Sequence, residues 1–181
     1  MSSQAIQIHD KFFVPYISAA EIDSRIKEIG ASLTAELKGQ DALMVGVLNG
    51  AFVFMADLLR QCDFNVSVHF LKAKSYEGVE SSGTVKVMNA DEKSLEGMNV
   101  LLVEDIIDTG LTVKVLLEKI WAQHPASVKV ITLLHKPEAT VHEVQIDHVG
   151  FEIPPAFVVG YGLDYDGLGR NLSDILQLQI P

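Results

Sequence analysis

Hydrophobic residues recur at the spacing of a helix near the start of the chain. One apolar residue stands at each turn from position 22 to position 37, which predicts an amphipathic helix. Ser18, with Glu21 three positions later, has the pattern of a capping box, and Gly39 follows the last apolar position. The apolar positions of this helix are Ile22, Ile26, Ile29, Leu33 and Leu37.

Short apolar segments bounded by turn-forming residues predict strands farther along. The predicted strands are Ala42–Leu48 and residues 64–71, 99–103, 128–134 and 157–161. Residues 51–60 predict a buried helix, and apolar residues at helical spacing between Val113 and Trp121 predict another. Because strands alternate with helices, we expect an α/β fold with a mostly parallel sheet. Ligands bind beyond the carboxyl ends of the strands in such a sheet, so functional residues are expected there.

The apolar content collapses between residues 72 and 84, where most side chains are polar. This composition predicts a long exposed loop or the tip of a hairpin. Long loops in compact domains often serve as lids over a site.

Composition and charge narrow the function. A length of 181 residues, 48% of them hydrophobic, predicts a single domain over residues 1–181 with a real core and excludes intrinsic disorder. The formal net charge of −10 argues against a nucleic-acid or anionic membrane partner. An anionic substrate would therefore need a metal cation to mediate its binding.

Cysteine usage and hydropathy indicate the cellular compartment in which the protein is expected. Cys62 is the single cysteine, which excludes an intrachain disulfide and fits a reducing compartment. No apolar stretch approaches the length of a membrane span, and residues 1–15 lack the pattern of a signal peptide. We therefore expect a cytoplasmic protein.

The segment 100–112 carries the richest chemistry. An apolar strand runs into Glu104 and Asp105, and after two aliphatic residues the sequence Asp-Thr-Gly-Leu-Thr leads into a helix. Backbone N–H groups, hydroxyls and a helix N-terminus suit a phosphate, while paired carboxylates suit ribose hydroxyls or Mg²⁺. By composition alone, Asp108 and Thr109 could equally be plain helix caps beside solvated acids.

This segment resembles the phosphoribosyl-pyrophosphate (PRPP) motif of the type I phosphoribosyltransferases, and Glu-Asp-Ile-Ile-Asp-Thr-Gly resembles the hypoxanthine-guanine branch. Other segments agree in the order of the family over about residues 10–181. They are residues 47–57 for the pyrophosphate loop, Ser75 and Tyr76 for the start of the mobile lid, and residues 134–137 and 157–170 for purine recognition. The resemblance implies the α/β fold of that family, with a small hood built from the chain ends and a lid at about residues 72–84.

The resemblance also implies roles for the residues of the segment. Glu104 and Asp105 would hold the ribose hydroxyls and the Mg²⁺ environment, and Asp108 would be the general base facing the purine N7. The 5′-phosphate would be bound by Thr109, Gly110, Leu111 and Thr112. Leu111 stands where relatives are often polar, which matters little if only its N–H is used.

The base and the pyrophosphate have further implied partners. Lys136 would donate to the purine 6-oxo group, Phe157 would stack on the base, and Val158 would pair with its edge through the backbone. Asp164 would face the 2-position of the base or a second Mg²⁺. Asn49, Gly50 and Arg170 would bind pyrophosphate, with Asn49 acting through its backbone, because relatives often carry Lys or Arg there.

The implied reaction is the Mg²⁺-dependent, reversible transfer of ribose 5-phosphate from PRPP to N9 of hypoxanthine or guanine. The products would be IMP or GMP and pyrophosphate, and the enzyme would form a homodimer or homotetramer. Two alternatives are a sibling transferase for adenine, xanthine or a pyrimidine, and a non-catalytic nucleotide sensor on the same fold. Lys136 argues against adenine, while the negative charge and the presence of Asp108 argue against the sensor.

Overall fold

Two β-sheets and three helices organise the chain in the computed structural model, which describes residues 5–75, 85–88 and 94–179. The strands are β1 (Ile6–Ile8), β2 (Lys11–Ile17), β3 (Ala42–Leu48), β4 (Val66–Ser75), β5 (Val85–Met88), β6 (Asn99–Ile107), β7 (Ser127–His135), β8 (His148–Glu152), β9 (Val158–Val159) and β10 (Ile175–Leu178). The helices are α1 (Ala19–Glu36), α2 (Phe52–Leu59) and α3 (Leu111–Trp121).

The larger sheet has the strand order β5-β4-β3-β6-β7-β8. Every neighbouring pair is parallel except β4 and β5, which run antiparallel. Alternate residues of the central strands face opposite sides, so Met44 packs in one hydrophobic cluster with α1 and α2, and Val45 in another with α3. Burial on both faces explains why these strands are almost wholly apolar. The predicted α/β fold with a mostly parallel sheet is confirmed.

The smaller sheet has the order β1-β2-β10-β9, antiparallel throughout, and is called the hood below. Its strands come from the two ends of the chain, as the resemblance implied. Ile8, Phe13, Val159 and Leu176 form its buried cluster. The segment from Gly160 to Leu172, called the hood loop below, connects β9 to the last strand and returns over the larger sheet.

The predicted capping box is confirmed at the start of α1. The Ser18 hydroxyl accepts the Glu21 N–H, and the Glu21 carboxylate accepts the Ser18 N–H at 2.9 Å. The hydrogen bonds with Ser18 hold the pKa of the Glu21 carboxyl below its ordinary value. The capping box thus satisfies two of the backbone N–H groups that have no partner within the helix.

Several predicted boundaries were wrong. Strand β6 continues to Ile107, so Glu104 and Asp105 lie inside a strand that was predicted to end at residue 103. Strand β4 runs to Ser75, which places residues 72–75 in a strand paired with β5 and not in a loop. The rest of the predicted lid, residues 76–84 with Tyr76, lies outside the described residues.

The strand predicted at residues 157–161 has only two residues, and it belongs to the hood instead of the larger sheet. Strands β1, β2, β5, β8 and β10 were not predicted, because they are short or only half-buried and therefore lack a clear period. Among the described residues, no helix is both long and apolar enough to cross a membrane.

The capping box provides a test of the fold. We expect Ser18→Ala to lower the free energy of unfolding by about 1 kcal/mol, because the first turn of α1 loses its side-chain acceptor. Ser24→Ala, at an exposed interior position of the same helix, should be neutral or slightly stabilising since Ala favours helix more than Ser. Urea denaturation of both variants measures this, and equal effects would contradict the role of the cap.

Candidate active site

Polar side chains gather where the carboxyl ends of β3, β6 and β7 meet. These three strands are adjacent and parallel, so the loops that follow them converge at one edge of the sheet. Asn49 and Gly50 follow β3, Asp108 follows β6, and Lys136 follows β7. The hood loop, which carries Asp164 and Arg170, approaches the same edge.

Gly50 is the point at which the hood loop and the larger sheet touch. A Cβ atom at Gly50 would lie 1.4 Å from Oδ2 of Asp105, and one at Gly162 would lie 2.3 Å from the carbonyl oxygen of Gly50. Gly162 also has a φ of +100°, which disfavours any L side chain. Glycine is therefore required at both positions, and the backbones at Gly50 and Gly162 come together beside the Asp105 carboxyl.

Glu104 and Asp105 are acids with little access to water. Glu104 is 7% exposed, and its Oε2 has no hydrogen-bond partner within the described ranges. Burial, reinforced by the neighbouring Asp105, raises the pKa of Glu104 well above its ordinary value. Burial also raises the pKa of Asp105 to about 6, although its side chain accepts the Ile106 N–H at 3.0 Å. Such shifts are typical of functional sites.

Arg170 and Asp164 form the hood side of this site. The Arg170 guanidinium donates to Oδ1 of Asp164 and to the carbonyl oxygen of Gly162, each at 2.6 Å. The other Asp164 oxygen accepts the Gly167 N–H at 2.7 Å. The charge of Arg170 lowers the pKa of Asp105 and that of Asp164 raises it, so the predicted residues of the hood act electrostatically on the end of β6.

Asp108 and Lys136 form an ion pair between the ends of neighbouring strands. Nζ of Lys136 lies 2.7 Å from Oδ2 of Asp108, and the Lys136 N–H donates to the carbonyl oxygen of Ile107. The lysine side chain is only 12% exposed, whereas that of Asp108 is 49% exposed. A carboxylate facing outward thus stands beside a largely buried cation.

The loop between β6 and α3 caps the helix only weakly, since the Thr109 hydroxyl accepts the Leu111 N–H at a long 3.5 Å. Gly110 is the N-cap of α3, has a φ of +82° and gives the helix no side-chain cap. A Cβ there would lie 2.2 Å from the carbonyl oxygen of His142. Because Asp108 pairs with Lys136 and does not cap the helix, the plain-cap alternative for Asp108 is wrong. The weakly capped first turn suits an anion.

Sequence reasoning missed Thr140, which joins the two members of the ion pair through their backbones. Its hydroxyl oxygen lies 3.1 Å from the carbonyl oxygen of Asp108 and 3.0 Å from that of Lys136. Nε2 of His135 lies 3.1 Å from the same hydroxyl. A lone threonine after a short turn carries no spacing signal, so only the tertiary structure reveals this contact.

The predicted purine residues in the hood occupy a different part of the site. Phe157 is 44% exposed, with its ring centroid 5.6 Å from that of Tyr165 and 6.1 Å from that of Phe13. Val158 is buried within β9. The contacts described do not join Phe157 or Val158 to the Asp108–Lys136 pair, and Ser75 lies at the end of β4.

The donor set at the end of β6 fits a magnesium ion. Within the described residues, no group of three or more His, Cys, Asp or Glu side chains could hold a metal by itself. Mg²⁺ usually needs only one or two carboxylates together with oxygens from substrate and water. The unpartnered Oε2 of Glu104 and the adjacent Asp105 carboxyl supply such oxygens.

Comparisons with known proteins agree with this geometry. The family model described as phosphoribosyl transferase domain matches residues 18–166. The hypoxanthine-guanine phosphoribosyltransferase of Bacillus subtilis (strain 168) is 45% identical over 160 residues, which cover 88% of this chain and 89% of that protein. A protein of the same name from Streptococcus agalactiae serotype V is 44% identical over 156 residues, covering 86% and 87%.

Solved structures give the same result. A hypoxanthine phosphoribosyltransferase from Staphylococcus aureus superposes with a TM-score of 0.87 at 38% identity, covering 91% of this chain and 90% of that one. The Trypanosoma cruzi enzyme in complex with the product IMP superposes with a TM-score of 0.85 at 38% identity, covering 96% and 97%. Identity and coverage at this level, together with the family match, show that the chain belongs to the phosphoribosyltransferase family and, within it, to the hypoxanthine-guanine phosphoribosyltransferases.

Proposed function

We propose that the chain catalyses the Mg²⁺-dependent transfer of ribose 5-phosphate from PRPP to N9 of hypoxanthine or guanine, giving IMP or GMP and pyrophosphate. The observation that carries the proposal is the pairing of Asp108 with Lys136 at 2.7 Å, beside the weakly capped N-terminus of α3. The pair supplies the proton acceptor and the cation for the base. The helix end supplies donors for a phosphate.

The pair complements one edge of a 6-oxopurine. When the proton is on N7, hypoxanthine and guanine present a carbonyl acceptor and an N–H donor side by side. A lysine ammonium has only donors and an aspartate carboxylate only acceptors, so Lys136 would bind O6 and Asp108 would bind the N7 proton. Adenine has an amino donor at position 6, which would face the ammonium. This selection by charge favours a 6-oxo acceptor over adenine.

The proton and the bonds balance in one exchange at C1′ of the ribose. The bond from C1′ to the pyrophosphate oxygen breaks, its electron pair leaves with pyrophosphate, and N9 of the purine forms the new bond. Asp108 takes the N7 proton as N9 attacks. Arg170 would stabilise the departing pyrophosphate by charge-assisted hydrogen bonds, in part by exchanging its contact to Asp164 for one to the pyrophosphate.

The phosphate groups would be held mainly by the backbone. The first turn of α3, with Thr109, Gly110, Leu111 and Thr112, would bind the 5′-phosphate. The backbone of Asn49 and Gly50 would approach the pyrophosphate at the end of β3. Glu104 and Asp105 would hold the ribose hydroxyls and the Mg²⁺, which when bound neutralises negative charge on the pyrophosphate. A cation also reconciles an anionic substrate with a chain of net charge −10.

Other expected properties stay predictions. They are stacking on Phe157, pairing with Val158, a role of Asp164 at the 2-position or at a metal, the lid at Ser75 and Tyr76, a homodimer or homotetramer, and a cytoplasmic location. Exposure of Phe157 in the hood supports stacking, because a fully buried ring could not receive a base.

Pyrophosphate release with PRPP, Mg²⁺ and one base at a time tests the proposed function. Hypoxanthine and guanine should each release pyrophosphate, whereas adenine should not, and excess EDTA should abolish the release. Absence of release with both 6-oxopurines would contradict the activity. Full turnover in EDTA would contradict the metal requirement alone.

The role of Asp108 as base gives the first kinetic prediction. Asp108→Asn keeps the size of the side chain but removes the proton acceptor, so kcat should fall by about 10²- to 10⁴-fold. The KM for PRPP should change little, because the α3 donors are untouched. Asp63→Asn, at an exposed position away from the site, is the control. A kcat close to that of the wild type would refute the assignment of the base.

The role of Lys136 as donor to the base gives the second kinetic prediction. Lys136→Met keeps most of the buried aliphatic stem but removes the donor to O6, so kcat/KM for hypoxanthine should fall by about 10- to 150-fold. Lys129 lies on β7, where its ammonium pairs with Glu36 of α1 at 2.8 Å, so Lys129→Met also removes a paired lysine and should leave these kinetics unchanged. Equal kinetics in both variants would remove Lys136 from the site.

The buried acids give a prediction of stability against pH, measured without divalent metal. The folded chain holds the Asp105 proton up to about pH 6, whereas the unfolded chain releases it near 3.8, so this group lowers stability as pH rises through that window. Asp105→Asn should therefore gain stability relative to the wild type between pH 4 and pH 7 by about 1 kcal/mol or more. Asp63→Asn should show no such trend, and a constant difference for Asp105→Asn would contradict the raised pKa.

A further inference from the structure

One side-chain hydrogen bond ties helix α2 to the hood loop. The hydroxyl of Tyr161 donates to Oδ2 of Asp57, and Tyr161 is 8% exposed. We propose that Tyr161 and Asp57 are positioning residues that set the pyrophosphate end of the PRPP site by holding Arg170 at a fixed place opposite Gly50. This inference rests on the proposed function and adds two residues to which no role in it has been given.

On the core side, Asp57 is coupled to the end of β3. Helix α2 begins at Phe52, directly after the Asn49–Gly50 turn, so Asp57 lies less than two helical turns from that turn. The second carboxylate oxygen of Asp57 accepts from Arg60, also on α2. The acceptor is thus fixed to the same helix that anchors the backbone expected to contact pyrophosphate.

On the hood side, Tyr161 is held in a conformation that leaves it little freedom. Its φ is +50°, between Gly160 and Gly162 with φ of +100° each, and its N–H donates to the carbonyl oxygen of Leu172 at 2.8 Å. Burial and the neighbouring Asp57 raise the pKa of the Tyr161 phenol, so it remains a donor at neutral pH. The turn therefore transmits the position of the phenol to the residues that follow.

Those residues lead directly to Arg170. The Gly162 carbonyl oxygen accepts from the Arg170 guanidinium at 2.6 Å, and the Gly162 N–H donates to the carbonyl oxygen of Arg170 at 3.0 Å. Gly162 is also the residue that contacts the backbone of Gly50. A shift of the turn at Tyr161 would consequently move the guanidinium relative to the Asn49–Gly50 backbone.

The boundary between helix α2 and the hood loop, called the seam below, is not closed by packing along its whole length. A cavity of about 660 Å³ lies between α1, α2 and the hood loop, and Asp57, Tyr161 and Arg170 are among the residues that line it. Side chains next to a space of this size lack neighbours on one side that would block their movement. Tyr161 packs in the main hydrophobic cluster on its other side, and its hydrogen bond to Asp57 spans the part of this boundary that the cavity leaves open.

Tyr161→Phe tests the inference, because it removes the hydroxyl and keeps the ring. We expect the KM for PRPP, and the Kd for pyrophosphate with Mg²⁺ measured by calorimetry, to rise about ten-fold, as befits the loss of a hydrogen bond to a charged acceptor. The KM for hypoxanthine should stay within about two-fold of the wild type, since the Asp108–Lys136 pair lies on other strands.

A matched control exists in the same loop. The Tyr165 hydroxyl donates to Asp10 at 2.7 Å within the hood, so this bond does not cross to the larger sheet. Tyr165→Phe is therefore the same chemical change without the tie, and it should leave both PRPP and pyrophosphate binding within about two-fold of the wild type. Equal effects of the two substitutions would overturn the inference in favour of a general loosening of the hood.

A double-mutant cycle separates a tie from a packing effect. If Tyr161 acts through Asp57, adding Tyr161→Phe to Asp57→Ala should weaken pyrophosphate binding no further. Additive effects would overturn the inference, as would unchanged pyrophosphate binding in Tyr161→Phe. If Asp57→Ala does not fold, Asp57→Asn, whose amide oxygen still accepts from Tyr161, takes its place and should bind pyrophosphate better than Tyr161→Phe does.

Failure of the proposed function gives a different result. A wild-type chain that binds pyrophosphate with Mg²⁺ but transfers no ribose phosphate would contradict the proposed reaction alone. The calorimetric comparison of Tyr161→Phe with Tyr165→Phe would still decide whether the tie positions the pyrophosphate site.

Discussion

The close approach of the Gly50 backbone to the Asp105 carboxyl and to the Gly162 backbone is the constraint on which the rest of the site depends. The end of β6, the turn after β3 and the hood loop meet where a single methyl group would overlap the Asp105 carboxyl or the Gly50 carbonyl. Side chains would separate these segments by the width of at least one methyl group, and interiors have little spare volume to accommodate it. The contact therefore sets how near Arg170 can come to the acids of β6. It also explains why the site needs glycine where a helix or strand would not.

The same contact creates the electrostatic character of the site. Excluding water from Glu104 and Asp105 raises both pKa values. Oε2 of Glu104 has lost water without gaining a hydrogen bond in the described part of the chain, which costs free energy. A fold selected for stability alone would not retain a buried acid beside a second, half-buried one. In the proposed function, a cation or the hydroxyl groups of a ligand would offset this cost, so the acids would favour the ligand-bound state over the empty one.

The sequence predicts the parts of this arrangement that depend on local pattern. Three features follow from residue types and periodicity, and the structure contains them. They are the change from strand to helix around residues 104–112, the capping box at Ser18 and the central strand Ala42–Leu48. The boundary of β6 was missed, because two acids at the end of a strand look like the start of a loop when their burial is unknown. Three of the four hood strands, β1, β9 and β10, have only two to four residues, which are too few to establish a period.

Contacts between segments that are distant in the sequence were also missed, but for a different reason. The hydroxyl of Thr140 lies between the backbones of Asp108 and Lys136, and Tyr161 meets Asp57 across 104 positions. Neither residue differs in type or spacing from an ordinary loop residue, and each acquires its partner only when strands and hood are assembled. What the pattern does predict is a mostly parallel sheet, in which the loops after the strands lie at one edge, so that residues on different loops can meet there.

The division between sheet and hood suits a reaction with two different tasks. In the proposed reaction, recognition of the base by Asp108 and Lys136 would depend on two adjacent strands of the larger sheet, which pair from Asn99 to Ile107. Binding of the pyrophosphate would involve groups from both the larger sheet and the hood loop, namely the backbone at Gly50 and the guanidinium of Arg170. Charge-assisted hydrogen bonds depend steeply on distance, so the second task is the one that suffers when the hood moves. An enzyme built this way can keep its base specificity in a rigid sheet while the seam with the hood governs the binding and release of the charged leaving group.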